Sequence, residues 1–208
     1  MVQKNVVPPP RGRPRGFDPE VVLGHVRDTF WQHGYAGTSM DQLSAATGLH
    51  KPSLYGAFGD KKALYMETLQ HYRLEARAQF AEALAIPKVM DSIADVLERA
   101  IRMFTREGCR GGCFMMSTAV PVAGDDPDVT ALVRSSMESL DRALTGRFER
   151  AITDGEIAAM VDPAALARIV VSSHGDLSMR ARAGYSRDEL RPLAARTLQL
   201  VATVAGLD

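Results

Sequence analysis

Long hydrophobic runs are missing from this chain. No stretch of eighteen apolar residues occurs, so no membrane-spanning helix is expected. The N-terminus carries no apolar secretory core, which places the expected protein in the cytoplasm. Cysteine is scarce: Cys109 and Cys113 are the two in 208 residues, too few for a disulfide framework. Their C-x3-C spacing, with no histidine or further cysteine beside them, is a poor zinc signature. Paired carboxylates at useful spacing, a phosphate-cradling glycine loop and a convincing Cys–His pairing are also missing. No catalytic residue, cofactor or metal is therefore assigned, and the chain is read as not an enzyme. Net charge is zero, which at first argues against a nucleic-acid partner. The distribution reverses that argument: residues 1–62 carry +3 and the remainder −3.

The basic end begins with an arm. Residues 8–16 read PPPRGRPRG, with Arg11, Arg13 and Arg15 and no acid. Its Arg-Gly-Arg-Pro core resembles an AT-hook. Gly and Pro keep the chain thin and extended, and a narrow A·T-rich minor groove focuses negative potential onto Arg. A disordered, solubilising basic tail fits the same composition.

Next comes GYAGTSMDQLSAATGLHKPSLYGAFGDKKA, residues 34–63. Upstream of it, Asp18, Pro19 and Glu20 form a helix start, and Val22, Val26 and Phe30 give that helix one apolar face. Ser39 and Gln42 have capping-box spacing for a second helix. Gly48 supplies a turn. The spacing predicts a third helix over Lys51 to Phe58, with Leu54 and Phe58 facing inward. Lys51, Pro52, Ser53, Tyr55 and Gly56 are then left outside. A cation, a hydroxyl, a phenol and a bare backbone suit phosphates and base edges, the task of a helix-turn-helix recognition helix. An ordinary three-helix subdomain with Tyr55 packed fits the spacing too.

This stretch resembles the signature of the TetR family of bacterial transcriptional repressors, from the first helix into the fourth. The resemblance implies an all-α homodimer: an N-terminal three-helix helix-turn-helix DNA-binding domain, then a six-helix C-terminal ligand-binding and dimerisation domain. In this chain the arm is residues 1–16, the DNA-binding domain residues 17–62 and the effector and dimer domain residues 63–208. The resemblance further implies that Lys51 and Tyr55 contact DNA. It also implies that Thr38, Ser39 and Lys61 hold backbone phosphate. A lysine at a helix N-terminus is also an anion site on physical grounds. The pattern departs at His50, where the family more often carries a serine cap.

Beyond residue 60 helical periodicity dominates. Helices are expected from about 61 to 85, 88 to 106, 113 to 121, 128 to 153, 162 to 184 and 186 to 206. The fourth helix of the chain, the first of these, spans both domains and can transmit a shift. The last two carry broad apolar faces, read either as intrachain core or as a homodimer interface made of two helices per subunit; the resemblance favours the interface. Met103, Phe104, Met116, Met137 and Met179 are candidate linings of an effector pocket, since Met suits deformable apolar cavities. Each fits equally as core filler. His174 is a further candidate, or a buried core histidine.

Cys113 has two readings: a small buried apolar residue, or a sensor whose thiol is activated by Arg106, Arg110 and a helix N-terminus. Gly112-Cys113 and the run Ser178 to Gly184 resemble a TetR subgroup that includes sensors of reactive electrophiles and small carboxylates. The resulting expectation is a repressor bound to a palindromic double-stranded operator and released by a small-molecule or electrophile effector. An effector-independent architectural DNA-binding protein is the alternative.

Overall fold

The computed structural model describes residues 16–108 and 110–207. Arg11, Arg13 and Arg15, with nearly all of the arm, and Cys109 lie outside the described residues. Among those described the chain is all helical. The reader comprises α1 (Pro19–His33), α2 (Met40–Thr47) and α3 (Lys51–Phe58). The remainder comprises α4 (Lys61–Leu84), α5 (Val89–Phe104), a π-helical turn (Met115–Ala119) running into α6 (Val120–Ala123), α7 (Pro127–Thr153), α8 (Pro163–Arg182) and α9 (Arg187–Ala205).

Local grammar sets most of these boundaries. The side chains of Asp18, Ser39, Asp60, Asp126, Asp162 and Ser186 each accept a backbone N–H at a helix start. Ser39–Gln42 and Ser186–Glu189 close full capping boxes. Gly48 makes the turn between α2 and α3 at φ +70°, ψ 4°, a left-handed conformation that costs a side chain energy.

Packing then joins the two parts into one body. Phe30 and Tyr35 of the reader meet Tyr65 of α4, each with ring centroids 4.8 Å or 6.1 Å from a neighbour in this trio. Phe114, just before the π turn, sits 5.6 Å from Trp31 and 5.5 Å from Tyr72. The Tyr65 hydroxyl bonds the buried Thr118 hydroxyl at 2.9 Å. Polar ties reinforce this aromatic seam. Trp31 Nε1 donates to the Gly111 carbonyl at 3.2 Å, Arg182 donates to the Trp31 carbonyl at 3.2 Å, and Arg110 donates to the Gln32 carbonyl at 3.0 Å. The α5–π-turn connection is thus wedged between the end of α1 and the end of α8. Gly111 and Gly112 make that possible. Both have positive φ, and a Cβ on them would lie 2.3 Å from the Ala181 carbonyl oxygen and 2.8 Å from that of Ser178.

Both ends of α4 are anchored. At its start Lys62 bridges Asp126 at 2.9 Å and Asp128 at 2.7 Å, at the N-terminus of α7. This pairing holds the Lys62 ammonium above its ordinary range and Asp126 below its own. At its end Arg147 of α7, with a fully buried side chain, donates to the carbonyls of Ile86 and Pro87 and to Ser92 Oγ. These bonds satisfy carbonyls that the last turn of α4 and its exit leave over. Burial lowers the affinity of Arg147 for its proton.

Candidate functional site

The sequence-predicted reader residues fall into two sets. Pro52, Ser53, Tyr55 and Gly56 are exposed along α3, and Lys51 is 42% exposed at its start. Leu54 and Phe58, buried at 0% and 5%, anchor the opposite side. One face of a two-turn helix is therefore open and the other closed, as the spacing demands. Gly56 has open space around the position a Cβ would take, so no packing within the chain requires glycine there. The Lys51 ammonium pairs with Asp41 of α2 at 2.6 Å. That pair is solvent-exposed and inexpensive to exchange for a phosphate. Tyr55 stands out with 48% exposure.

Around this face, Ser39 is exposed and its oxygen accepts from Gln42 N, which leaves the hydroxyl proton for a further acceptor. Lys61, in the first turn of α4, holds its ammonium 4.5 Å from the centre of the Tyr35 ring. His50 occupies the N-cap of α3 without a side-chain cap bond, so the departure from a serine leaves that helix start uncapped by a side chain. Thr38 is a correction. It is 2% exposed and its hydroxyl donates to the Gly34 carbonyl at 2.7 Å, so its side chain is structural rather than turned to phosphate.

The expected effector set also divides. Phe104 is fully buried, its ring 5.0 Å from the His174 imidazole, which also meets Phe80 at 5.8 Å. Burial in this aromatic surround lowers the His174 pKa to about 4, so the ring is neutral near pH 7. Met116 is partly buried, and its Cε lies 3.8 Å from where a Cβ on Gly175 of α8 would stand. Met103 accepts a contact from the Tyr72 hydroxyl at 2.9 Å, and the same hydroxyl lies 3.4 Å from Cys113 Sγ. These five residues share the interior of the C-terminal part. Met137 and Met179 do not: they are 51% and 63% exposed, on α7 and α8, and line no interior of the single chain. Helical spacing gave them a face, but not which face the neighbouring helices cover.

Of the two readings of Cys113, the structure supports the small buried apolar residue over the activated thiol. The residue is 7% exposed, and burial raises its thiol pKa. The Tyr72 hydroxyl and the backbone N–H groups of Met115 and Met116 oppose that shift, as a helix start should, but burial outweighs them. Arg106 is drawn to Asp28, and Arg110 to the Gln32 carbonyl. Tyr72, buried beside the thiol, is likewise held in its neutral form.

Sequence reasoning overlooked one feature. A cleft of about 530 Å³ opens between α1, α4 and α5, walled by Arg27, Arg99, Arg102 and Arg106. Arg99 and Arg102 lie three apart on one face of α5, a spacing legible in the sequence, and Arg106 follows just after the helix ends. Among the described residues no cluster of His, Cys, Asp and Glu could hold a metal ion, and no helix is long and apolar enough to cross a membrane.

With this geometry in view, similarity to known proteins becomes specific. Residues 27–68 match the family model for bacterial regulatory proteins of the tetR family. Residues 89–197 match that for the tetracyclin repressor-like C-terminal domain. The HTH-type transcriptional repressor ComR of Escherichia coli is 31% identical over 192 residues, 91% of each chain. The uncharacterized HTH-type transcriptional regulator YezE of Bacillus subtilis is 26% identical over 86% of this chain and 94% of its own length. The solved structure of the TetR family regulator CifR, a cysteine mutant complexed with a 26bp double-strand operator DNA, superposes with a TM-score of 0.82. It is 30% identical and the match covers 90% of this chain and 98% of that one. The open face of α3, the all-helical body behind it and these two matched domains together place the chain in the TetR family of bacterial transcriptional regulators.

Proposed function

We propose that this regulator is a homodimeric repressor that occupies a palindromic operator and leaves it when a small molecule binds the C-terminal part. The observation that carries the reading is the open face of α3, where Lys51, Pro52, Ser53, Tyr55 and Gly56 are all accessible over a closed Leu54–Phe58 side. In this reading residues 17–62 dock in successive major grooves, twice per dimer. Ser39 and Lys61 hold phosphates on either side. Residues 1–16 lie in the adjoining minor groove through Arg11, Arg13 and Arg15. The contact of Phe17 with Phe58 of α3, with centroids 6.1 Å apart, supports this by rooting the arm beside the reader.

Residues 63–208 carry the effector and dimer functions. Exposed Met179 on α8 and exposed Leu200 and Val204 on α9 support a pairing of these two helices with those of a second subunit. The raised Cys113 pKa favours a non-covalent effector over an electrophile. The protein acts in the cytoplasm, where its DNA lies.

Selection of bound fragments from a random DNA pool, followed by gel retardation, tests the reading. The expected result is two inverted half-sites about one helical turn apart with strong salt dependence. Deleting residues 1–15 should lower affinity and flatten the salt slope. Failure to retard any duplex at low ionic strength overturns the proposal.

A further inference from the structure

We propose that the cleft between α1, α4 and α5 is a binding site for an amphipathic organic anion, a carboxylate or sulfonate carried on an apolar body. Its wall presents four guanidinium groups, Arg27 from α1, Arg99 and Arg102 from α5 and Arg106 just beyond the end of α5, against a single carboxylate, Glu75. Its floor is apolar: the Trp31 indole, the Met103 thioether and the Tyr72 ring. The volume, about 530 Å³, falls within the roughly 300–1,000 Å³ range of small-molecule sites.

The acids that hold these arginines sit mostly behind them. Arg99 uses Nε on Asp95 at 2.6 Å and Nη1 on Glu82 at 2.7 Å. Arg27 uses Nε on Asp28 and Nη1 on Glu75 at 2.7 Å. In both, Nη2 makes no bond to a described residue. Among the described residues Arg102 has one ion pair, a loose one with Asp95 at 4.0 Å, and it also lies near enough to Glu98 to lower that carboxyl's pKa, so its fork is less committed than those of Arg27 and Arg99. Asp28, Glu82 and Asp95 do not line the cleft. Arg27, Arg99 and Arg102 thus keep guanidinium edges that their acids do not fill, and such edges match the two oxygens of a carboxylate or sulfonate. Trp31 and Tyr72 are 1% and 5% exposed, so an apolar body entering the cleft would rest chiefly on the partly buried Met103 and Ala76.

Occupancy has a structural consequence. Arg27–Glu75 and Arg106–Asp28 tie α1 of the reader to α4 and to the connection that follows α5. An anion in the cleft competes with Glu75 and Asp28 for the same guanidinium groups and loosens those ties. This consequence for DNA rests on the effector-release reading above; the binding itself does not.

The probe is 8-anilinonaphthalene-1-sulfonate, titrated into the full-length protein. Trp31 is the single tryptophan of the chain and lines the cleft, so bound probe quenches its emission by energy transfer. The neutral N-phenyl-1-naphthylamine serves as comparator. Saturable binding of the sulfonate at one site per chain is expected, weakened about tenfold by Arg102→Gln, with no such loss for the neutral dye. Absence of saturable quenching, or an Arg102→Gln variant that binds the sulfonate as tightly as the parent, overturns the anion site. Thermal unfolding of the variant checks that its fold is intact; should it be disturbed, Arg102→Lys, which keeps the charge and loses the fork, takes its place with the same two outcomes. Operator retardation with the cleft saturated is a separate readout. If DNA stays bound, the anion site stands and effector release fails.

Discussion

The outer face of α3 and the cleft beneath α1 both present cations, and they hold them differently. Lys51 stands in solvent with one exposed partner, Asp41. In the cleft, Arg27 and Arg99 are 14% and 23% exposed and held by Asp28, Glu75, Glu82 and Asp95, while Arg102 and Arg106 are 50% and 42% exposed. An exposed pair contributes little and exchanges readily with phosphate or counterions. A partly buried network fixes direction, so it selects for shape as well as charge. The first arrangement suits a long polyanion scanned in many registers. The second suits one small ligand. Between them lies the aromatic seam from Phe30 to Phe114, which packs the two regions against each other.

The strongest way to break this comparison is to load the open face with the wrong sign. Gly56→Glu adds an acid to α3 where nothing in the chain obstructs it. Operator affinity should fall about a thousandfold in gel retardation, with the fold unchanged by circular dichroism. Gly56→Ala sharpens the point. Thermal unfolding should show a gain of about 0.5–1 kcal/mol from helix propensity while DNA binding weakens.

A second test concerns the interior. His174 has a pKa of about 4 in the folded chain against 6.5 for the free side chain. The unfolded state therefore binds the extra proton first. Stability is fully present above about pH 6.5 and declines as pH falls towards 4, by an amount of order 3 kcal/mol. Urea unfolding across that window should show the slope, and His174→Gln should flatten it. An unchanged slope would locate the acid sensitivity elsewhere.

A smaller effect is expected from Lys51→Gln. Two lysines per dimer would be lost, so log affinity against log salt should become shallower by about 2. Chemical stability should move by no more than about 0.5 kcal/mol, because the pair with Asp41 is exposed. The smallest effect is the reverse one. Asp41→Asn removes the competitor for Lys51 and should tighten operator binding a few-fold, measured at low salt; weakened binding would mean that Asp41 holds Lys51 in place instead.

Legibility differed between the same two regions. The helix starts at Asp18, Ser39, Asp60, Asp126, Asp162 and Ser186 and the left-handed Gly48 turn are written in residues a few positions apart. So was the sorting of α3 into Leu54 and Phe58 inside against Tyr55 outside. Thr38, one residue before a readable cap, was not legible, because its hydroxyl finds a carbonyl in the preceding turn instead of solvent. Met137 and Met179 carried the right periodicity but faced outward, and Cys113 had a helix N-terminus nearby yet was overruled by burial.

By itself, then, the sequence determined where most helices begin, to within a residue or two, and which side of the short third helix stays open, but not the π turn at Met115–Ala119. Capping and amphipathic spacing act over three to seven residues and need no knowledge of distant neighbours. The tertiary structure alone decided that Arg147 is buried against the exit of α4, that the Gly111–Gly112 loop wedges between α1 and α8, and that four arginines from α1, α5 and the connection after α5 converge on one cleft. Those outcomes depend on contacts spanning some sixty to one hundred and fifty residues, where burial and desolvation, not local preference, set the energy.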